Sequence, residues 1–296
     1  MSARPSLDDA FDKLRWARHH FEVLRSEVEP FEKRDAHTIS VEVDADSGEY
    51  VFRVHNLEAP DPDWGLRIGD CLHNGRTALD YLMVRIVALV TDTEPRDVET
   101  VQFPIHDDPK AFASRIGSLR KQHPVFSGYL TRIEELQPFN VGNPSIWGME
   151  AHGGWPLHHM LPMALKRLST LDNIDKHRVI HAAWTGVDFL RSNKVEPPTG
   201  FKFLSGGSTG VPLKDGAVVG NWRFGTPLPS TWEPSQVEMK RSFPFYVTVD
   251  QPPTLVGILE VLGLCLWAVE AVLTLFGPVF LDLQPPLPVT AIPSPR

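Results

Sequence analysis

The stretch Gly69-Asp70-Cys71-Leu72-His73-Asn74-Gly75-Arg76-Thr77-Ala78-Leu79-Asp80 decides how this chain is read. It lies inside a longer run, Trp64 to Val90, whose apolar residues recur at helical spacing. Successive residues of a helix advance ~100°. Ile68, Leu72, Leu79, Leu82 and Ile86 therefore share one side, and His73, Arg76, Thr77 and Asp80 the other, with Asp70 one turn before His73. Ionisable groups in a helix bundle cost free energy unless partners satisfy them. Such a cluster points to a shared polar site or to a structural ion-pair network. Gly69 and Gly75 are poor helix formers, each costing about 1 kcal/mol relative to Ala, so a neighbour is expected to approach the backbone there.

A second polar run, Leu171-Asp172-Asn173-Ile174-Asp175-Lys176-His177-Arg178-Val179-Ile180-His181, lies far along the chain. Asp175 and Arg178 have a spacing that allows pairing. His177 and His181 are separated by one helical turn, which lets two imidazoles face one metal. The glutamate of a metalloprotease signature is missing, because Arg178 follows His177. Lys176 and Arg178 flank His177 and attract anions such as phosphate or carboxylate; alternatively, they neutralise Asp172 and Asp175 on a solvated face.

Other helices build outward from these two. Leu7, Leu14, Phe21 and Val28 recur every seven residues, with Ala10, Ala17 and Leu24 between them, so Ser6 to Val28 reads as a bundle helix ended by Pro30. Thr38 to His55 alternates apolar and polar residues about Asp44-Ala45-Asp46-Ser47-Gly48, the pattern of a β-hairpin. Val101-Gln102-Phe103-Pro104-Ile105 reads as an edge strand, since Pro104 has no N–H to donate. Lys110 to Lys121 and Val125 to Leu136 read as short helices, and Pro138 to Pro156 as loop. Leu157 to Leu171 reads as helix with Pro162 in its first turn, and the second motif continues helical to about Trp184. Residues 200–250 read as a β-rich insertion. Leu255 to Phe280 is a strongly apolar helix, but Glu260 and Glu270 interrupt it, which favours a buried core helix over a membrane span.

The expected fold is α+β: a bundle of about five helices with an early β-hairpin and a small β-rich insertion before the last helix. Residues 1–282 are read as one domain and 283–296 as a Pro-rich tail. The net charge of -8 argues against broad binding to nucleic acid, though not against a local basic groove. The two cysteines, Cys71 and Cys265, sit in apolar helical contexts and read as buried small hydrophobes. The first residues show no secretory apolar segment, and the expected location is cytoplasmic.

The two runs resemble those of a group of bacterial proteins that share Gly-Asp-x-Leu-His-Asn-x-Arg-x-Ala-Leu-Asp and Asn-x-Asp-Lys-His-Arg motifs. Their layout is also similar to the Arg-x4-6-His signature of HEPN domains, α-helical bundles of toxins, defence systems and RNA-processing proteins. Active HEPN ribonucleases cleave RNA without metal through its 2′-hydroxyl, often across a dimer interface. By this resemblance Arg76 carries over as an anion-binding residue. The histidine position counted from Arg76 is Tyr81, and His181 comes too early after Arg178, so His73, His177 or His181 would have to substitute.

Three functions stay open. The first is a HEPN-like protein, a homodimer if the family pattern holds, that binds RNA or another anionic ligand without a cofactor. Its catalytic candidates are His73, Arg76, Asp80, Asp175, His177 and Arg178, and its anion-binding candidates Arg76, Lys176 and Arg178. The second is a non-catalytic structural or interaction protein whose motifs form an ion-pair network. The third is a metal-dependent hydrolase using Asp70, His73, His177 and His181.

Overall fold

The computed structural model describes residues 5–34, 37–44, 49–91, 95, 101–122, 127–141, 157–178, 180, 182–186, 203–207, 213–224, 245–249 and 257–282. The order is α1 (Asp8–Glu32), β1 (Thr38–Val43), β2 (Tyr50–His55), α2 (Asp63–Thr91), α3 (Pro109–Gln122), α4 (Ser127–Glu135) and α5 (Leu157–His177). There follow β3 (Ala182–Gly186), β4 (Phe203–Gly207), β5 (Val218–Phe224), β6 (Phe245–Val249) and α6 (Ile258–Asp282). The fold is α+β, with the hairpin early and the strands before the last helix. The expected tail, the loop residues 142–156 and His181 lie outside the described residues.

The chain forms two compact units, each assembled from discontinuous pieces. Unit 1 comprises Met1–Val23, Arg67–Val179 and Val261–Arg296; unit 2 comprises Leu24–Leu66 and Ile180–Glu260.

Four helices of unit 1 make an up-and-down bundle, and side-chain pairs fix their directions. Asp9 meets Arg85, Lys13 meets Asn74 and His20 meets Asp70, so α1 and α2 run antiparallel. Asp175 lies against Gly69, Asp172 against His73 and Leu168 against Gly75, so α5 runs antiparallel to α2. Arg18 pairs with Glu270, and Phe21 lies near Gly263, where an added Cβ would stand 3.9 Å from its ring, which sets α6 antiparallel to α1. The seven-residue stripe of α1 is buried at Leu7, Ala10, Leu14 and Ala17. Helix α6 has a mean hydropathy of 2.1 over Ile258–Leu281 and is the one helix among the described residues long and apolar enough to cross a bilayer; with 61% of that window buried, most of its apolar surface is already covered by protein.

In unit 2, β1 and β2 pair antiparallel from Thr38↔His55 to Val43↔Tyr50, as the alternation predicts. β5 and then β4 extend this sheet in the order β1-β2-β5-β4, while β3 and β6 form a separate antiparallel pair. Gly216 takes a φ of 79°, a conformation open to glycine, in the turn that leads into β5. Its N–H reaches the Val54 carbonyl at 2.8 Å. Near the end of α1, a Glu32 carboxylate oxygen accepts the Val247 N–H at 2.7 Å.

Four local expectations are corrected. Helix α1 continues past Pro30 to Glu32, although Pro30 has no N–H to give to its last turn. Pro162 lies beyond the first turn of α5. That helix runs unbroken through Asp172 and stops at His177, and Ala182–Trp184, expected as its continuation, lies in a strand that pairs with β6. Val101–Ile105 belongs to no sheet among the described residues; side chains bond its backbone instead.

Candidate functional site

The polar residues of α2 face two different neighbours within unit 1. Arg76 and Asp80 turn toward the extended segment at Phe103. The Arg76 guanidinium donates from Nη2 to Asp80 Oδ1 at 3.0 Å and to the Phe103 carbonyl at 2.5 Å. Asp80 Oδ1 in turn accepts the Phe103 N–H at 2.9 Å. One ion pair thus satisfies both backbone groups of Phe103, whose ring is fully buried, much as a neighbouring strand would. The Arg76 side chain is only 12% exposed, so its charge faces protein. Burial pushes the Asp80 carboxyl up from its ordinary range, against the opposing pull of Arg76 and the Phe103 N–H.

Gln137 completes the same lattice. Its buried amide donates to the Pro104 and Ile133 carbonyls, both at 2.9 Å, and its oxygen accepts the His106 N–H at 3.0 Å. Burial and the nearby Arg115 and Arg76 charges lower the His106 pKa. The segment therefore needs no sheet partner, since Arg76, Asp80 and Gln137 replace one.

Asp70 and His73, on the same helix, lie toward α5 and α1. A Cβ built on Gly69 would stand 2.5 Å from Asp175 Oδ1, so the glycine leaves the space that this carboxylate occupies. Here is the close approach that the two α2 glycines suggest; a Cβ at Gly75 would meet Leu168, Leu266 and Val269 only at ordinary van der Waals distance. Asp172 is 2% exposed, and Lys176 holds its Oδ2 at 2.6 Å. Its Oδ1 is buried and has no hydrogen-bond partner among the described residues; it lies 3.7 Å from Nδ1 of His73, an imidazole that is 60% exposed. That separation is beyond hydrogen-bond length. Burial raises the Asp175 pKa, the neighbouring Asp172 and Asp70 charges raise it further, and His73 opposes them. Asp70 is 62% exposed and lies 3.9 Å from His20 of α1.

The structure thus brings Asp70, His73, Asp172, Asp175 and Lys176 together and turns Arg76 and Asp80 elsewhere. His177 and Arg178 stand exposed where α5 ends. Among the described residues no group of three His, Cys, Asp or Glu side chains is arranged to hold a metal ion. The thiols of Cys71 and Cys265 are buried, and burial pushes both well up from the ordinary thiol range, Cys265 to about 12.

Asp172, Gln137 and the Phe103 backbone are absent from the residues that sequence spacing proposes as a site. Asp172 had a signal: Leu161, Leu165 and Leu168 set a buried stripe at spacings of four and three, and Asp172 occupies the next position of that stripe. A carboxylate at a core position needs built partners. Gln137 and Phe103 had no such signal, because their roles depend on a loop packing against a helix distant in sequence. Comparison of the chain with family models, with curated proteins and with solved structures found no match.

Proposed function

We propose that this chain is a non-catalytic binding protein in which Arg76, Asp80 and Gln137 hold the bundle together, while Asp70, His73, Asp172, Asp175 and Lys176 form the binding face. The observation that carries this reading is the use of Arg76. Its guanidinium is engaged by Asp80 and by the Phe103 carbonyl, and it is almost covered. An arginine that stabilises a phosphorane must turn its fork toward substrate. The charge at the neighbouring cluster adds support: three carboxylates stand there against Lys176, which disfavours a polyanion.

A second reading keeps the HEPN-like ribonuclease, and one geometric feature favours it. An exposed imidazole beside a buried carboxylate is the arrangement of an oriented acid/base group, and such contacts often tighten only when substrate binds. Incubating the protein with a labelled random RNA pool separates the two. We expect intact RNA with wild type, and a lower melting temperature for Arg76→Ala. RNA cleavage by wild type that His73→Ala abolishes, with the variant still folded, would overturn the binding-protein reading in favour of the nuclease.

A further inference from the structure

Two histidines of unit 1 reach from one helix to the next, and each stops just short of a carboxylate. Nδ1 of His20, on α1, lies 3.9 Å from Asp70 Oδ2 on α2. Nδ1 of His73, on α2, lies 3.7 Å from Asp172 Oδ1 on α5. Both separations exceed hydrogen-bond length, and a side-chain adjustment of about 1 Å closes either. Helix α2 thus carries one imidazole–carboxylate pair toward α1 and another toward α5. The surroundings of both rings are rich in negative charge. His73 is faced from α5 by Asp172 and Asp175, with Lys176 bonded to Asp172, and Asp70 lies one turn earlier on its own helix. His20 is faced by Asp70 of α2 and stands against the Trp16 and His19 rings of its own helix. Lys13 of α1 is turned to Asn74, and Arg18 to Glu270 of α6.

Protonation changes both pairs in the same direction. An imidazolium donates from both ring nitrogens and carries a positive charge, so each ring gains a charge-assisted bond to its carboxylate. Asp172 is 2% exposed, and its Oδ1 accepts no hydrogen bond from the described residues, so the bond to His73 forms where water competes little. We propose that His20 and His73 form an acid-strengthened latch, in which their protonation ties α2 to α1 through Asp70 and to α5 through Asp172. The pairs exist only in the folded chain, so folding takes up protons. The stability they add is present in mild acid and is lost as pH rises through the imidazole range, about pH 5 to pH 8. In stronger acid the carboxylates take up protons themselves and the latch fades. The device concerns how the helices are held; it goes beyond the binding reading and does not depend on it.

The test is thermal unfolding of the full chain, followed by circular dichroism at steps from pH 8 down to pH 5.5, for wild type and for His20→Gln/His73→Gln. Glutamine keeps a donor at each position and cannot take up a proton. Effects of pH elsewhere in the chain are common to both proteins, so the gap between their midpoints reports the two histidines alone. That gap is expected to widen by roughly 2–4 °C between pH 8 and pH 5.5. His73 is 60% exposed and Asp70 is 62% exposed, so His73→Gln and Asp70→Asn serve as single variants that leave the core untouched. His73→Gln alone should show part of the widening. In an Asp70→Asn background, adding His20→Gln should produce no further pH-dependent gap, because the partner of His20 is already gone. A gap that stays constant or narrows toward acid overturns the latch. A gap from His20→Gln that widens equally with and without the Asp70 carboxylate overturns it as well, since the pairing would then not be the cause.

Discussion

Arg76 and Asp175 mark neighbouring corners of the same bundle, and the carboxylates at the two corners, Asp80 and Asp175, are treated in opposite ways. At the Arg76 corner every charge has an answer: the guanidinium bonds Asp80 and Phe103, and Asp80 also takes the Phe103 N–H. At the Asp175 corner negative charges crowd together, and a buried oxygen of Asp172 accepts no hydrogen bond from the described residues. A satisfied ion pair clamps a loop to a helix. An unsatisfied one stores unfavourable charge that a proton or a cationic ligand relieves. The contrast separates the structural part of the motifs from the part available for binding.

Breaking the satisfied corner has the largest expected effect. Arg76→Ala strands Asp80 in a half-buried position and leaves the Phe103 carbonyl without its donor. Removing one member of a buried pair costs roughly 3 kcal/mol, which urea denaturation measures directly. Arg76→Lys keeps the charge but loses the planar fork that serves two acceptors at once, so its midpoint should lie between those of wild type and alanine. If Arg76→Ala unfolds at the wild-type urea concentration, the clamp contributes nothing and the contrast between the corners fails.

The next effect tests the close approach at the crowded corner. Gly69→Ala puts a methyl where the Asp175 carboxylate lies. Overpacking of this kind costs roughly 1–3 kcal/mol. The obstacle is a single side chain, so Asp175→Ala in the same molecule should recover most of the loss. A double-mutant cycle reports this as coupling between the two positions. Additive losses would mean that Gly69 is required by the helix for some other reason.

Much of this architecture was legible in the chain. The seven-residue stripe of α1, the alternation of the hairpin and the apolar run of α6 each follow from local periodicity, because burial repeats with the period of the element. The polar motifs were legible as places, and the pairing of Arg76 with Asp80 follows from their spacing on one helix. Their division between two neighbours was not. Spacing puts His73 and Arg76 on one side of α2, whereas the Phe103 loop claims Arg76 and α5 lies against His73. The strand β3 was missed for a similar reason: Ala182-Ala183-Trp184-Thr185-Gly186 has little alternation of its own and is extended through pairing with β6.

The smallest expected effect carries the sharpest sign. In the folded protein the Asp175 pKa is raised, first by burial and then by Asp172 and Asp70. A carboxyl whose folded pKa exceeds its unfolded value contributes stability that is fully present below the unfolded pKa and is lost as pH rises through the folded one. At neutral pH the ionised Asp175 is therefore a liability. Asp175→Asn, nearly the same shape without the charge, should raise the thermal midpoint at pH 7, and this gain should shrink as pH falls into the carboxylate range, where wild type is protonated as well. The Arg76 corner offers the opposing control: Asp80 also has a raised pKa, yet Asp80→Asn takes the counter-charge from Arg76 and should destabilise at pH 7. Midpoints of both variants between pH 4 and pH 8 decide the matter. If Asp175→Asn lowers the midpoint at pH 7, then His73 and Lys176 already balance the three carboxylates, and the crowded corner holds no unrelieved charge for a ligand to neutralise.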